Sequence, residues 1–137
     1  MVIGSVLQQQ ATRAPCASPE TPAAEAARVM AGAGIGTLPV VDRHGRLVGL
    51  VAARDLLALA AERRSGIRGL AVEDVMQRDI VTVPAEAPVE AALNVMHRAR
   101  FRDMPVCDPQ GRLLGLVGLA ELLHLVLGGA QPAASAA

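Results

Sequence analysis

Few residues in this chain are equipped for chemistry, and their spacing excludes most of it. Cys16 and Cys107 lie in no CxxC, and His44, His97 and His124 form no ligand spacing, so no metal site is expected. The thiols read instead as reduced cysteines of a cytoplasmic protein. No nucleophile stands with a base and no carboxylates pair for acid–base work, so the chain does not read as an enzyme. Gly32-Ala33-Gly34-Ile35-Gly36 is glycine-rich. A dinucleotide loop needs a strand before the glycines and a helix after them, and here the order is reversed. The stretch reads as a helix C-cap and a tight connection. Two acids remain, Asp55 and Glu121. Each opens a segment with helical spacing, where the helix dipole favours a carboxylate.

These two acids are 66 positions apart, and so is everything around them. Gly36 to Leu57, GTLPVVDRHGRLVGLVAARDLL, returns as RDMPVCDPQGRLLGLVGLAELL from Arg102 to Leu123. A fixed offset over this length is an internal duplication. In each copy two apolar runs flank a polar turn holding a glycine, Gly45 or Gly111, which is the pattern of a β-hairpin. The pattern then turns helical, with Ala53, Leu56, Leu57 and Ala60 matched by Leu119, Leu122, Leu123 and Val126.

The 137 residues suffice for one compact domain made of two half-domains. About half are hydrophobic, and Phe101 is the only aromatic ring, so Ala, Val, Leu and Met must build the core. Thirteen basic and thirteen acidic side chains leave no net charge and no bulk attraction to nucleic acid. The start, MVIGSVLQQQ, lacks the charged and apolar regions of a signal peptide. The longest apolar run, Leu113 to Leu127, is broken by Glu121 and His124 and is too short to span a bilayer. A soluble, cytoplasmic protein without membrane or nucleic-acid partners is expected.

Along the chain, Met1 to Gln10 should hold a short helical turn, Val6-Leu7 matching Val75-Met76. Ala14 to Ser18 and Ile80 to Pro84 are expected strands, the second by its β-branching. Thr21-Pro22 reads as an N-cap with proline at the first helical position. Ala23, Ala26, Ala27 and Met30, repeated as Val89, Ala92, Leu93 and Met96, form the core stripe of a helix. AERRSGIRG, from Ala61 to Gly69, links the copies, and residues 129–137 read as a disordered tail.

The hairpin with its Asp-x-x-Gly-Arg turn, the Gly-hydrophobic-Val strand and the acid opening the last helix together resemble a pair of CBS domains, called a Bateman module. The likeness covers Val2 to Gly128. It implies an α+β fold: a tandem repeat of two β-α-β-β-α motifs in pseudo-two-fold relation, with repeat one at residues 1–66 and repeat two at 67–128. It implies a regulatory module that binds adenosine-containing ligands such as AMP, ADP, ATP or S-adenosylmethionine in clefts between the repeats, and no cofactor.

The family pattern after the third strand is Gly-h-h-Ser/Thr-x-x-Asp, whose aspartate binds the ribose hydroxyls while the Ser/Thr helps with phosphate. In copy one Asp55 keeps the carboxylate, Ala52 lacks the hydroxyl, Ala53 follows, and Arg54 offers a cation. In copy two Glu121 takes the aspartate's place, Gly118 has no side chain, and Ala120 stands where Arg54 does. By position the resemblance adds Ala14, Pro15 and Cys16 with Ile80, Val81 and Thr82 beside the base. It adds Thr37, Leu38 and Pro39 with Arg102, Asp103, Met104 and Pro105 at the start of the hairpin. Arg102 could serve a phosphate, whereas Asp103 opposes one, so the Asp55 cleft is the better expectation. A hydrogen bond to a charged group contributes about 1.5–3 kcal/mol, so losing Asp55 should cost roughly ten- to a hundredfold in affinity.

With no effector domain in the sequence, output is expected to act in trans on a partner protein. Leu125 and Leu127 lie off the core stripe, which points to a sticky face and a homodimer. The rival reading is a ligand-free module that only dimerises and docks.

Overall fold

The structure is a computed structural model that describes residues 1–11 and 13–128; the tail of residues 129–137 lies outside the described residues. The duplicated pattern produces duplicated elements. α1 (Ile3–Gln8) is followed by α2 (Ala23–Ala33), β1 (Thr37–Val41), β2 (Leu47–Ala52) and α3 (Ala53–Glu62). Then come α4 (Val72–Val75), α5 (Val89–Ala99), β3 (Asp103–Cys107), β4 (Leu113–Gly118) and α6 (Leu119–Val126).

Both hairpins are antiparallel in the same register, Thr37 opposite Ala52 in one and Asp103 opposite Gly118 in the other. An aspartate fastens each turn. Asp42 Oδ1 accepts the backbone N–H groups of His44 (2.8 Å) and Arg46 (3.0 Å), and Asp108 Oδ1 accepts those of Gln110 and Arg112 (both 2.9 Å). The Arg46 N–H holds the Asp42 carboxyl below its usual range. At Asp108 burial is the largest single influence and raises the pKa. It is outweighed by the Arg112 N–H, the Arg112 guanidinium and the Gln110 N–H, so the net shift is downward.

The expected first strand of each copy shrinks to a single bridge. Ala17 pairs in parallel with Val40, and Val83 with Val106. Ala17 donates to the Pro39 carbonyl (2.9 Å) and accepts from Val41 N (2.9 Å), and the pairing goes no further. Pro15, Pro19 and Pro84 have no N–H to extend a ladder.

The chain forms two compact units, Pro15–Ile80 and Met1–Ala14 with Val81 onward. In the first, Ala23, Ala26 and Met30 of α2 bury against Leu38, Val40, Val51 and Leu56, with Val72 of α4 completing the core. In the second, Val89, Ala92 and Met96 of α5 bury against Met104, Val106, Val117 and Leu122, with Ile3 and Val6 of α1 completing it. The opening segments are therefore exchanged: α1 folds onto copy two and α4 onto copy one. Equivalent bonds hold both. Ile3 N donates to the Ala87 carbonyl (2.8 Å), and Val72 N to the Thr21 carbonyl (2.7 Å).

A glycine in each second strand admits these openers. A Cβ on Gly49 would stand 2.5 Å from Met76 Sδ and 3.0 Å from the Gln77 carbonyl oxygen; one on Gly115 would stand 2.8 Å from Leu7 Cδ2. The helix preceding each hairpin ends in a left-handed residue, Gly34 (φ 66°) in copy one and Arg100 (φ 60°) in copy two.

Three local expectations change. Thr21 does not cap α2. Its Oγ1 accepts Ser18 N (3.1 Å) instead, and Pro22, in extended conformation, is the residue before the helix. The stripe of the last helices is narrower than its spacing implied, because Leu56 and Leu122 are buried while Leu57 is 71% and Val126 49% exposed. Leu125 packs against its unit's core and is no part of a free face, whereas Leu127 is 83% exposed. Cys107 is buried, and burial, then the Asp108 charge, pushes its thiol pKa up; Cys16 is exposed. Among the described residues no helix is long and apolar enough to cross a membrane.

Candidate functional site

The place where each hairpin passes into its helix is built by three backbone facts. The first strand starts opposite the last residue of the second, Thr37 against Ala52. The helix begins at once, with Ala53 N donating to the Gly36 carbonyl at 2.9 Å. The bridge at Ala17 runs parallel to β1 and so sets Pro15 level with Leu38. One corner of unit 15–80 therefore gathers Thr37, Ala52, Ala53, Arg54 and Asp55, with Pro15 and Cys16 on the neighbouring segment. Leu38 and Pro39, the next residues of β1, are buried.

Asp55 is the third residue of α3 and half-buried. Its Oδ2 accepts the side-chain amide of Gln77 at 2.9 Å. Gln77 is held there by its own backbone, which exchanges two bonds with Leu50 (Leu50 N to Gln77 O 3.0 Å, Gln77 N to Leu50 O 2.8 Å). Arg54 is exposed on the same turn. This corner offers a carboxylate acceptor, a cation and the positive end of a helix, a set suited to a neutral diol joined to an anion.

The corresponding corner of the other unit differs. Leu119 N donates to the Arg102 carbonyl at 2.7 Å, and Asp103 faces Gly118 across the hairpin. Glu121 Oε1 accepts Gly118 N at 3.3 Å, closing a cap on its own helix. Gln10 Nε2 donates to Glu121 Oε1 at 3.1 Å and to the Leu116 carbonyl at 2.8 Å. Ala120 and Arg102 are exposed, Met104 and Pro105 buried, and Val81 and Thr82 exposed on the bridge segment. Ala14 and Ile80 fall at the two points where the chain passes from one unit to the other. Gln10 and Gln77 escaped the sequence reading. A glutamine has no local pattern to mark it, and only the fold brings each one beside its acid.

A separate cavity of about 420 Å³ lies between α2 and α3, lined by apolar groups including Ala27, Met30, Ile35 and Leu56. Of the candidate residues only Ala53 touches it. No three His, Cys, Asp or Glu residues among those described could hold a metal ion together.

The family model of the CBS domain matches residues 4–62 and again 72–128. The chain belongs to the CBS domain family and carries the domain twice. An inosine-5'-monophosphate dehydrogenase from Thermoplasma acidophilum is 36% identical over 106 residues, which is 77% of this chain and 20% of that protein. The chain thus spans about a fifth of the length of the curated dehydrogenases it matches. Two solved structures are similar over nearly their whole length. CBSX2, a CBS-pair protein of Arabidopsis thaliana, was solved in complex with AMP and aligns with TM-score 0.77 and 26% identity, covering 93% of this chain and 96% of its own. A CBS domain pair in complex with 5-methylthioadenosine and S-adenosyl-L-methionine aligns with TM-score 0.77 and 25% identity, over 93% and 97%.

Proposed function

We propose that this chain is a regulatory module that binds an adenosine-containing ligand, of the class AMP, ADP, ATP or S-adenosylmethionine, and passes its state to a cytoplasmic partner protein. The observation that carries the reading is the Asp55 corner. It holds a carboxylate on the first turn of α3, engaged only by one exposed amide among the described residues, with Arg54 beside it. Asp55 takes the ribose hydroxyls, and Arg54, Thr37 and the start of α3 receive the phosphate or the charged end. Pro15 and Cys16 lie beside the base. The AMP, 5-methylthioadenosine and S-adenosyl-L-methionine of the two similar structures support the ligand class.

Isothermal titration of the full chain with AMP, ATP and S-adenosylmethionine tests the reading. Saturable binding of one of them should weaken about ten- to a hundredfold in Asp55→Ala, the loss of a hydrogen bond to a charged group. No binding of any of the three by a folded protein refutes it. The exposed leucines Leu57 and Leu127 favour a second, compatible reading of a homodimer that docks on its partner. Sedimentation equilibrium decides it, and a monomer at micromolar concentration sinks it.

A further inference from the structure

We propose that the two helix-opening acids are divided in role: Asp55 is the chain's single ligand carboxylate, gated by the Gln77 amide, and Glu121 is a permanent structural clamp. This rests on the adenosine reading above and specifies its stoichiometry and regulation.

One methylene group separates the two acids, and it decides what each can reach. Both occupy the third position of their helices. The longer Glu121 folds back far enough for Oε1 to take Gly118 N, so it caps its own helix. The same carboxylate holds Gln10, whose amide nitrogen also donates to the Leu116 carbonyl. These bonds are partly buried and fasten the residues just past α1 to both β4 and α6. They thereby keep Ile3 and Val6, both fully buried, on their core. A diol taking Glu121 would have to displace the cap and the clamp together, leaving half-buried polar groups unsatisfied.

Asp55 presents the opposite case. Among the described residues the side chain of Asp55 accepts one hydrogen bond, from Gln77, and that bond is exposed. Water competes at both ends, so it opens easily, and a vicinal diol brings two hydrogen bonds to the carboxylate against the single one from Gln77. The Gln77 backbone stays fixed by its pair of bonds to Leu50, so the amide remains poised to return. The entry to each corner fits the same division. Thr37, a hydroxyl, stands opposite Ala52 in the hairpin of Asp55. Asp103 stands in its place opposite Gly118, with Oδ1 3.7 Å from where a Cβ on that glycine would be. An anionic ligand meets a hydroxyl in one corner and a second carboxylate in the other.

The two glutamines are not partners in the duplication. The offset that matches Val6-Leu7 with Val75-Met76 pairs Gln77 with Gln8, and Gln10 with Asp79. Each amide reaches its acid from a different position, so their different jobs do not follow from the repeat.

The test is titration of the full chain with AMP, together with thermal unfolding, for the wild type, Gln77→Ala and Gln10→Ala. One AMP should bind per chain. Gln77→Ala should bind it about two- to tenfold more tightly with its Tm within roughly 1 °C of wild type, because only a competing surface hydrogen bond is removed. Gln10→Ala should keep its AMP affinity and lose about 3–6 °C in Tm. If that variant is too unstable to titrate, Gln10→Asn, which keeps the amide one methylene short, gives the same readout. Two AMP per chain, an unchanged or weaker affinity in Gln77→Ala, or a changed affinity in Gln10→Ala overturns the division while leaving the nucleotide reading intact. If AMP binds neither wild type nor Gln77→Ala, the AMP reading and the gate fail together. Unfolding then judges the clamp alone: a Tm loss confined to Gln10→Ala supports it, and equal shifts in the two variants overturn it.

Discussion

Replacing Gly49 with alanine should cost far more than the same change at its repeat partner Gly115. The added Cβ on Gly49 meets Met76 Sδ at 2.5 Å, Met76 Cγ at 2.8 Å and the Gln77 carbonyl oxygen at 3.0 Å. The methionine is flexible and can swing aside. The carbonyl cannot, because it accepts Leu50 N at 3.0 Å while Gln77 N donates back at 2.8 Å. Relief therefore requires separating α4 and its following residues from β2, which disturbs the pair of bonds and the packing of Met76. Overpacking of this kind costs about 1–3 kcal/mol. At Gly115 the near atoms are the terminal methyls of Leu7, 2.8 and 3.5 Å away, with no backbone in the way, so the cost should stay below about 1 kcal/mol. For a chain of this size the first value is a Tm loss of roughly 4–12 °C and the second at most about 4 °C. Urea unfolding of both variants measures the difference directly. Gly49→Ala should also tighten AMP binding, as Gln77→Ala does, since the displaced backbone carries the amide that competes for Asp55. Equal costs at the two glycines, or less than about 0.5 kcal/mol at Gly49, would refute the close-approach argument.

Two further outcomes are expected. Arg100 adopts the left-handed conformation that its counterpart Gly34 adopts without strain, so Arg100→Gly should stabilise by about 1 kcal/mol. Urea unfolding checks it, and a loss of stability would mean that the Arg100 side chain contributes more than its backbone strain costs. Asp42 and Asp108 have folded-state pKa values below their ordinary ones. Their contribution is fully present above the unfolded value of about 3.9 and disappears as pH falls through the lowered folded values. Stability should therefore fall as pH drops below about 4, and the double variant Asp42→Asn/Asp108→Asn should lose less over that descent than wild type; an identical slope would remove these carboxylates from the acid response.

Much of this architecture is written in the repeat. The match of Gly36–Leu57 with Arg102–Leu123 placed both hairpins, both following helices and the two acids, because strand and helix periodicities are local and survive duplication. A C-cap within Gly32–Gly36 is legible for the same reason, since an αL residue is a local requirement, and it falls at Gly34. The bridge segments were harder, because Val81 and Thr82 have strand propensity while the prolines around them remove the donors a ladder needs. Which core a segment covers was not legible at all. Val6 and Val72 carry the same apolar signal, and nothing in it says that each packs on the other copy's sheet. The glutamine–carboxylate pairs were hidden too. Gln10 and Glu121 are bonded across nearly the whole chain length, and no spacing rule spans such a separation.

The exchange of openers sets an order of assembly. Residues 15–80 are contiguous, so every group of that core, from Ala17 to Val72, is at hand once the chain has been synthesised past Ile80. The other unit cannot close until Leu122 has emerged, because Ile3 and Val6 must wait for the sheet and helices they cover. Domains made first on the ribosome generally fold first. Here residues 1–14 are the exception, translated before the unit they precede and used after it, with Ile3 and Val6 uncovered until the second sheet and its helices exist. A slow ribosome or a substitution in that segment would bear on nascent-chain aggregation before it bore on the finished protein.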